Sequence, residues 1–129
     1  MSTGDVFPAV YLAEIINERD AARRGAAIER LIHPDICHVS FDRPVYGRAA
    51  FERRVAAMVA SLTPGMKASL RDAPRVERDT AFFRWQLSED GNRPVATGGA
   101  FVVLTAGVAT WFYATLDRMD FEPIESRHR

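Results

Sequence analysis

The stretch VATGGAFVVLTAGVATWFYATLDRM, residues 95–119, decides the fold of this chain. It divides into two runs, 95–105 and 108–119, which are rich in the β-branched and aromatic residues that strands favour. Between the two runs, Ala106 and Gly107 predict a tight turn. The stretch therefore predicts a long antiparallel hairpin.

Neither run keeps the alternation of apolar and polar residues that is typical of a sheet with one wet face. Residues 101–104 and 111–113 are apolar without interruption, so both faces of the hairpin are apolar there. One face is expected to meet helices. The other is an apolar surface of the kind that marks a partner, and we expect a homodimer packed sheet to sheet, which Phe112→Asp or Val102→Asp would disrupt.

Further strands are predicted upstream of this hairpin. A turn at 89–92 connects it to a strand over 76–88, and 67–73 predict a shorter strand. Residues 37–42 alternate apolar and polar with period two, which is also typical of a strand.

Three helices are predicted in the first half of the chain. Apolar residues recur at helical spacing within 10–16, 28–32 and 51–62. Asp5 is a suitable N-cap for the first helix, and Pro34 ends the second.

The order of elements predicts one α+β domain over residues 1–129, in which three N-terminal helices pack on a curved antiparallel sheet. The terminal segments 1–5 and 122–129 are expected to be loose.

Composition excludes several classes of partner. The charges of seventeen basic and seventeen acidic residues cancel, whereas a nucleic-acid-binding domain carries a basic surplus, so no nucleic acid is expected.

Cys37 is the one cysteine, which excludes an intramolecular disulfide. No stretch approaches the roughly 20 apolar residues of a membrane span, so we expect a cytoplasmic protein without a membrane partner. The three histidines and Cys37 show no metal-ligand spacing, and we expect neither a metal nor a cofactor.

Six short strings, taken in order, carry a family resemblance: NERD at 17–20, LIHPDI at 31–36, VYGRAAF at 45–51, FRWQL at 83–87, ATGGAF at 96–101 and ATLD at 114–117. From about Tyr11 to Asp117 the chain resembles the nuclear transport factor two-like superfamily, and within it the SnoaL-like group. The resemblance implies a cone-shaped α+β roll, a pocket between the concave sheet and the helices, and frequent dimerisation.

The superfamily includes ketosteroid isomerase, scytalone dehydratase, limonene epoxide hydrolase and polyketide cyclase, alongside members that only bind or associate, so the fold leaves function open. Its proton-shuttling enzymes rely on pocket carboxylates whose pKa is raised by desolvation. In many SnoaL-like relatives one carboxylate follows a glycine on the long strand. Ala100 occupies that place here and cannot exchange a proton, which argues against isomerase or cyclase chemistry by the familiar route.

His38 and Asp42 are the candidate catalytic residues. With Ser40 they share one face of the strand predicted at 37–42. If that face points into the pocket, His38 is a candidate general base near neutral pH, and Asp42 is its partner or a separate carboxylate. If the strand is at the edge of the sheet, His38 and Asp42 are solvent-exposed surface residues.

The candidate ligand-binding residues are Tyr11, Met58, Trp85, Phe101, Trp111 and Tyr113. Tyr11 either presents its hydroxyl to a ligand or places its ring in the core and its hydroxyl in water. Trp111 and Tyr113 share a face by alternation, and they either fill the core or line the pocket. Arg84 either holds an anion or pairs with an acid such as Asp117.

The sequence supports two functions. The favoured one is a non-catalytic domain that binds a small molecule or associates through a mostly apolar pocket. The alternative is a cofactor-free isomerase, lyase or hydrolase that acts on a hydrophobic small molecule, with His38 and Asp42 as its acid–base pair.

Overall fold

A computed structural model of the chain describes residues 3–40 and 43–120, the side chains of residues 3–5 excepted. Within these residues, three helices lie along one face of a curved seven-stranded sheet, which confirms the predicted α+β class. The helices are α1 (Thr3–Tyr11), α2 (Ala21–Leu31) and α3 (Arg48–Ala60). The strands are β1 (Ile32–Ser40), β2 (Arg43–Tyr46), β3 (Met66–Leu70), β4 (Arg75–Glu77), β5 (Thr80–Glu89), β6 (Pro94–Thr105) and β7 (Val108–Met119).

The strand order is β2-β1-β7-β6-β5-β3, and β4 pairs with β5 beside this path. The hairpin predicted from residues 95–119 is present, with Ala106 and Gly107 both at positive φ in its turn. The sheet is not wholly antiparallel, however, because β1 and β7 pair in parallel. These two strands are far apart in the sequence, so local patterns carry no signal for the direction of their pairing.

Several element boundaries differ from the predictions. The strand predicted over 76–88 is two strands, β4 and β5, separated by a turn in which Arg78 has a φ of 54°. Strand β1 begins at Ile32 and includes Pro34, which was expected to end a helix. Strand β2 was not predicted, because it contains Pro44; proline is tolerated there since β2 is the sheet edge.

Helix α1 begins at Thr3, before the predicted cap at Asp5, and it continues beyond Tyr11 as a π-helical segment, Leu12–Ile16. The N–H of Asn17 closes the segment by donating to the carbonyl of Leu12 at 2.8 Å. The Asn17 side chain then exchanges two hydrogen bonds with the backbone of Ala68 on β3, at 2.8 and 2.7 Å. The segment is thereby fixed over the far end of the sheet.

The core lies between the helices and the sheet face toward them, which we call the inner face. Phe112 lies at the centre of this core and is 1% exposed. Its ring centroid lies 4.8 Å from that of Tyr11 and 5.3 Å from that of His38. Val102 is also fully buried on this face. The substitutions Phe112→Asp and Val102→Asp therefore disrupt core packing and are not probes of an interface, which corrects the expectation from the sequence.

Residues 3–5, which were expected to be loose, belong to α1. The rest of the predicted loose termini lies outside the described residues, and so does Asp42. None of the helices formed by the described residues has the length and apolarity that crossing a membrane requires.

Candidate functional site

A cavity of about 460 Å³ lies between the inner face of the sheet and the helices. Helix α3 and the π-helical segment cover it, and strands β1, β7, β6, β5 and β3 form its other wall. Most of its lining side chains are apolar.

Small side chains on the inner face create this space. By strand register, Ser40, Ala114 and Ala100 lie side by side on β1, β7 and β6, and all three line the cavity. Two residues earlier on β7, the Phe112 ring fills the same layer between sheet and helices. The cavity begins at Ala114, two residues after Phe112, because the methyl group of alanine cannot reach the helices.

Trp85 forms part of the wall because Gly98 lies beside it. A Cβ at Gly98 would stand 2.3 Å from the Trp85 ring and 2.1 Å from the carbonyl oxygen of Thr115, so only glycine fits. The indole N–H of Trp85 donates to the carbonyl of Gly99 at 3.3 Å. These contacts hold the ring against β6, at a point where the strand register also shifts.

His38 and Ser40 point into the cavity from β1 and are 5% and 2% exposed. Strand β1 is not an edge, because β2 and β7 flank it, so the alternative of a wet polar face does not hold for these two residues. The His38 ring packs edge-on against Phe51, with a centroid distance of 4.9 Å. Within residues 3–40 and 43–120, its Nδ1 atom is buried without a hydrogen-bond partner.

Burial lowers the pKa of His38 to about 4, and the positive charge of Arg54 contributes to the shift. The imidazole is therefore neutral at pH 7. Its predicted partner, Asp42, lies outside the described residues, so the structure brings only one member of the predicted pair into the cavity.

Arg54 on α3 is a site residue that the sequence reasoning missed. It is half-buried and lines the cavity beside β1. Its Nη1 atom donates to the carbonyl of Arg43 at 3.0 Å, to the Ser40 hydroxyl at 3.3 Å and to the carbonyl of His38 at 3.5 Å. A signal was present, because Arg54 follows Phe51 by three residues and precedes Met58 by four, at the border of the apolar stripe.

Three of the six predicted ligand-binding residues line the cavity: Tyr11, Met58 and Trp85. Tyr11 is 8% exposed, and desolvation raises the pKa of its phenol above the ordinary value, so the group stays protonated. The Tyr11 ring lies in the core, as the second alternative expects, but the desolvated phenol is not in open water, which corrects the rest of that alternative. The residue borders the cavity.

The other three predicted ligand-binding residues are not in the cavity. Phe101, Trp111 and Tyr113 are 41%, 45% and 46% exposed on the opposite side of the sheet, the outer face. Phe101 pairs with Phe82 on one side and with Tyr113 on the other. Their assignment to a ligand wall is corrected by strand alternation: Ala100, Val102 and Phe112 take the inner positions, which leaves these aromatic rings outside.

Arg84 also lies on the outer face, where it forms an ion pair with Asp72 rather than with Asp117. The hydrogen bond from Arg84 lowers the pKa of the Asp72 carboxyl group.

Ala100 lines the cavity, as the resemblance implied for this position. No aspartate or glutamate among the described residues lines it.

The family model of the SnoaL-like domain matches residues 11–119. A candidate isomerase of the SnoaL-like family from Agrobacterium tumefaciens str. C58 is 23% identical, with a TM-score of 0.80 over 91% of this chain and 99% of that chain. A candidate SnoaL-like polyketide cyclase from Jannaschia sp. CCS1 is 11% identical, with a TM-score of 0.73 over 94% and 93% of the two chains. An LEH-like epoxide hydrolase from M. tuberculosis is 10% identical, with a TM-score of 0.66 over 89% and 83%. No curated protein matches the chain.

Proposed function

Because the chain belongs to the family of SnoaL-like domains, as its sequence resemblance predicted, we propose that it binds a hydrophobic small molecule in the cavity without acid–base catalysis. The observation that carries this proposal is the lining of the cavity. Ala96, Ala100 and Ala114 supply methyl groups, and the described lining residues include no carboxylate. A concave apolar site of several hundred Å³ with few polar groups is typical of binding sites for small organic molecules.

The similar structures do not choose among activities. Their names include an isomerase, a polyketide cyclase and an epoxide hydrolase, and each activity belongs to the protein that carries the name. Function must therefore be argued from the site. The absence of an ionisable group at Ala100 favours binding over proton transfer.

The two tryptophans provide a matched test, because Trp85 lines the cavity and Trp111 lies on the outer face. The probe is 11-bromo-1-undecanol, an uncharged hydrophobic molecule whose bromine quenches indole emission on contact. In Trp111→Phe, where Trp85 is the one remaining indole, saturable quenching is expected. In Trp85→Phe, the Trp111 emission should stay nearly constant over the same titration. Equal quenching in both variants, or none in either, would contradict binding in the cavity.

His38 supports a second candidate function, proton transfer in a cofactor-free isomerase, lyase or hydrolase. The imidazole is buried at the cavity wall, neutral at pH 7, and its Nδ1 atom has no partner among the described residues. A neutral imidazole can accept a proton from a bound substrate, but a pKa of about 4 makes His38 a weaker base at pH 7 than a free histidine. Asp42 is the proposed second member of the pair.

Turnover assays with a ketosteroid, an epoxide and a polyketide separate the two candidates. Under the catalytic alternative, His38→Gln or Asp42→Asn abolishes turnover, whereas His33→Gln, a change outside the cavity, does not. Under the favoured function the wild-type protein turns over none of these substrates, and Asp42→Asn leaves the affinity for 11-bromo-1-undecanol almost unaltered.

We further propose that the outer face pairs with a second copy of the chain in the cytoplasm. The support is an aromatic surface of adjacent residues, Phe82, Phe101, Trp111 and Tyr113, each more than 40% exposed. Contiguous exposed apolar surface of this kind marks association sites. The cytoplasmic location rests on the unpaired, buried Cys37, which suits a reducing compartment.

A further inference from the structure

The most polar end of the cavity lies beside β1, and Ser61 and Thr115 add hydroxyl groups elsewhere on its lining. Arg54, His38 and Ser40 converge beside β1, and Arg54 is the one charged residue among the described lining residues. From β1 the cavity wall runs across β7, β6 and β5 to Ala68 on β3. With strands about 4.8 Å apart, this is a distance of about 19 Å. The site therefore suits an elongated molecule with one polar end.

Within residues 3–40 and 43–120, the guanidinium of Arg54 is hydrogen-bonded through its Nη1 atom alone. That atom donates to Ser40 Oγ and to the carbonyls of His38 and Arg43, all of them uncharged acceptors. Arginine has five N–H donors in a fixed fork. Among the described residues, the Nε and Nη2 groups of Arg54 have no acceptor and form no ion pair. The Nε–Nη2 edge is the geometry that binds a carboxylate through two parallel hydrogen bonds.

None of the described groups that accept a hydrogen bond from Arg54 carries a negative charge. His38 is neutral at pH 7 because its pKa is lowered to about 4, and Ser40 carries no charge. Burial of a cation that none of these described contacts neutralises is unfavourable, and an anion delivered by a ligand relieves that cost. The electrostatics of the cavity thus favour a negatively charged polar end over a neutral or positive one.

We infer that the ligand is an amphipathic carboxylic acid, whose carboxylate is bound by the Nε–Nη2 edge of Arg54 and whose apolar body lies along the alanine-lined wall. This inference rests on the proposed binding function and adds the chemical class of the ligand. Arg54 selects the ligand by charge, and Ala96, Ala100 and Ala114 leave room for its hydrocarbon part.

Calorimetric titration of the full chain with decanoic acid and with 1-decanol tests this inference, because the two probes share a hydrocarbon chain and differ in the head group. Charge-assisted hydrogen bonds are the strong ones, so the acid is expected to bind at least about tenfold more tightly at pH 7. Arg54→Met should remove this preference while leaving the affinity for decanol within about twofold.

Arg53→Met is the matched control, since Arg53 is the exposed neighbour on α3 and its loss changes net charge equally. It should leave the preference for the acid intact. Retained decanol binding by Arg54→Met shows that the variant is folded. Equal affinity of the wild type for acid and alcohol, or an equal loss of acid binding in both arginine variants, overturns the carboxylate inference alone. If neither probe binds the wild type, the proposed binding function fails with it.

Discussion

Replacement of Ala100 by leucine is expected to stabilise the fold and to weaken ligand binding at the same time. Ala100 is 3% exposed, lies between Phe83 and Ala114 in the sheet, and directs its methyl group into the cavity. Leucine adds three carbons, whose complete burial contributes about 2.4 kcal/mol at about 0.8 kcal/mol for each. Restricted rotamers remove about 0.5–1 kcal/mol of this. The free energy of unfolding should therefore rise by up to about 1.5–2 kcal/mol.

Urea unfolding followed by tryptophan emission measures the stability change, and titration with 11-bromo-1-undecanol measures binding. Because the added carbons occupy space that the ligand needs, its affinity should fall by about tenfold. Ala60→Leu is the control, since Ala60 is exposed on α3 and both residues are good helix formers. It should change neither quantity appreciably. If Ala100→Leu instead destabilises the protein by more than about 1 kcal/mol, the space is already filled and the reasoning from the cavity is wrong.

The burial of His38 and Phe112 and the exposure of Phe101 lead to three other predictions. The contribution of His38 to the free energy of unfolding should be full above about pH 6.5 and should fall by about 3 kcal/mol toward pH 4, because its pKa is about 4 in the folded protein and about 6.5 in a free histidine. In unfolding titrations, His38→Gln should lose this dependence between pH 4 and 6.5, and His33→Gln should keep it. Phe112→Ala should lower the free energy of unfolding by about 3–5 kcal/mol, since the ring is fully buried, whereas Phe101→Ala on the outer face should cost far less; similar losses in the two variants would contradict the assignment of faces. Phe101→Asp should shift the protein from dimer to monomer in sedimentation velocity without loss of helical circular dichroism; an unchanged sedimentation coefficient would exclude this interface.

Local patterns predicted most of the fold because each element is coded by its own residues. Residue types along the chain predicted the turn at Ala106 and Gly107 and the strands on either side of it, and all three elements are present. The apolar stripe around Phe51 likewise predicted α3. The patterns could not predict that β1 pairs with β7 in parallel, because that pairing joins distant parts of the chain.

The candidate site was predicted less completely, for a physical reason. Alternation shows which residues share a face, but it does not show which face meets the helices. Trp111 and Tyr113 were therefore assigned a place beside a ligand and lie on the outer face instead. Arg54 was missed because a charged residue beside an apolar helical stripe is usually solvated, and only the position of β1 brings it to the cavity.

Alanine at position 100 and arginine at position 54 act in the same direction on the charge of the cavity, because one leaves out a negative group and the other supplies a positive one. Ala100 lies two strands from Ser40 in the same row, roughly 10 Å away, and Ser40 is in contact with the Arg54 guanidinium. A carboxylate at position 100, where the family resemblance places one, would lie close enough to attract that guanidinium and to repel an acidic ligand. With alanine there, no carboxylate at this position competes with the ligand for Arg54. A carboxylate at position 100 would thus serve proton transfer by the route that the resemblance implies, and it would oppose the binding of an anionic ligand.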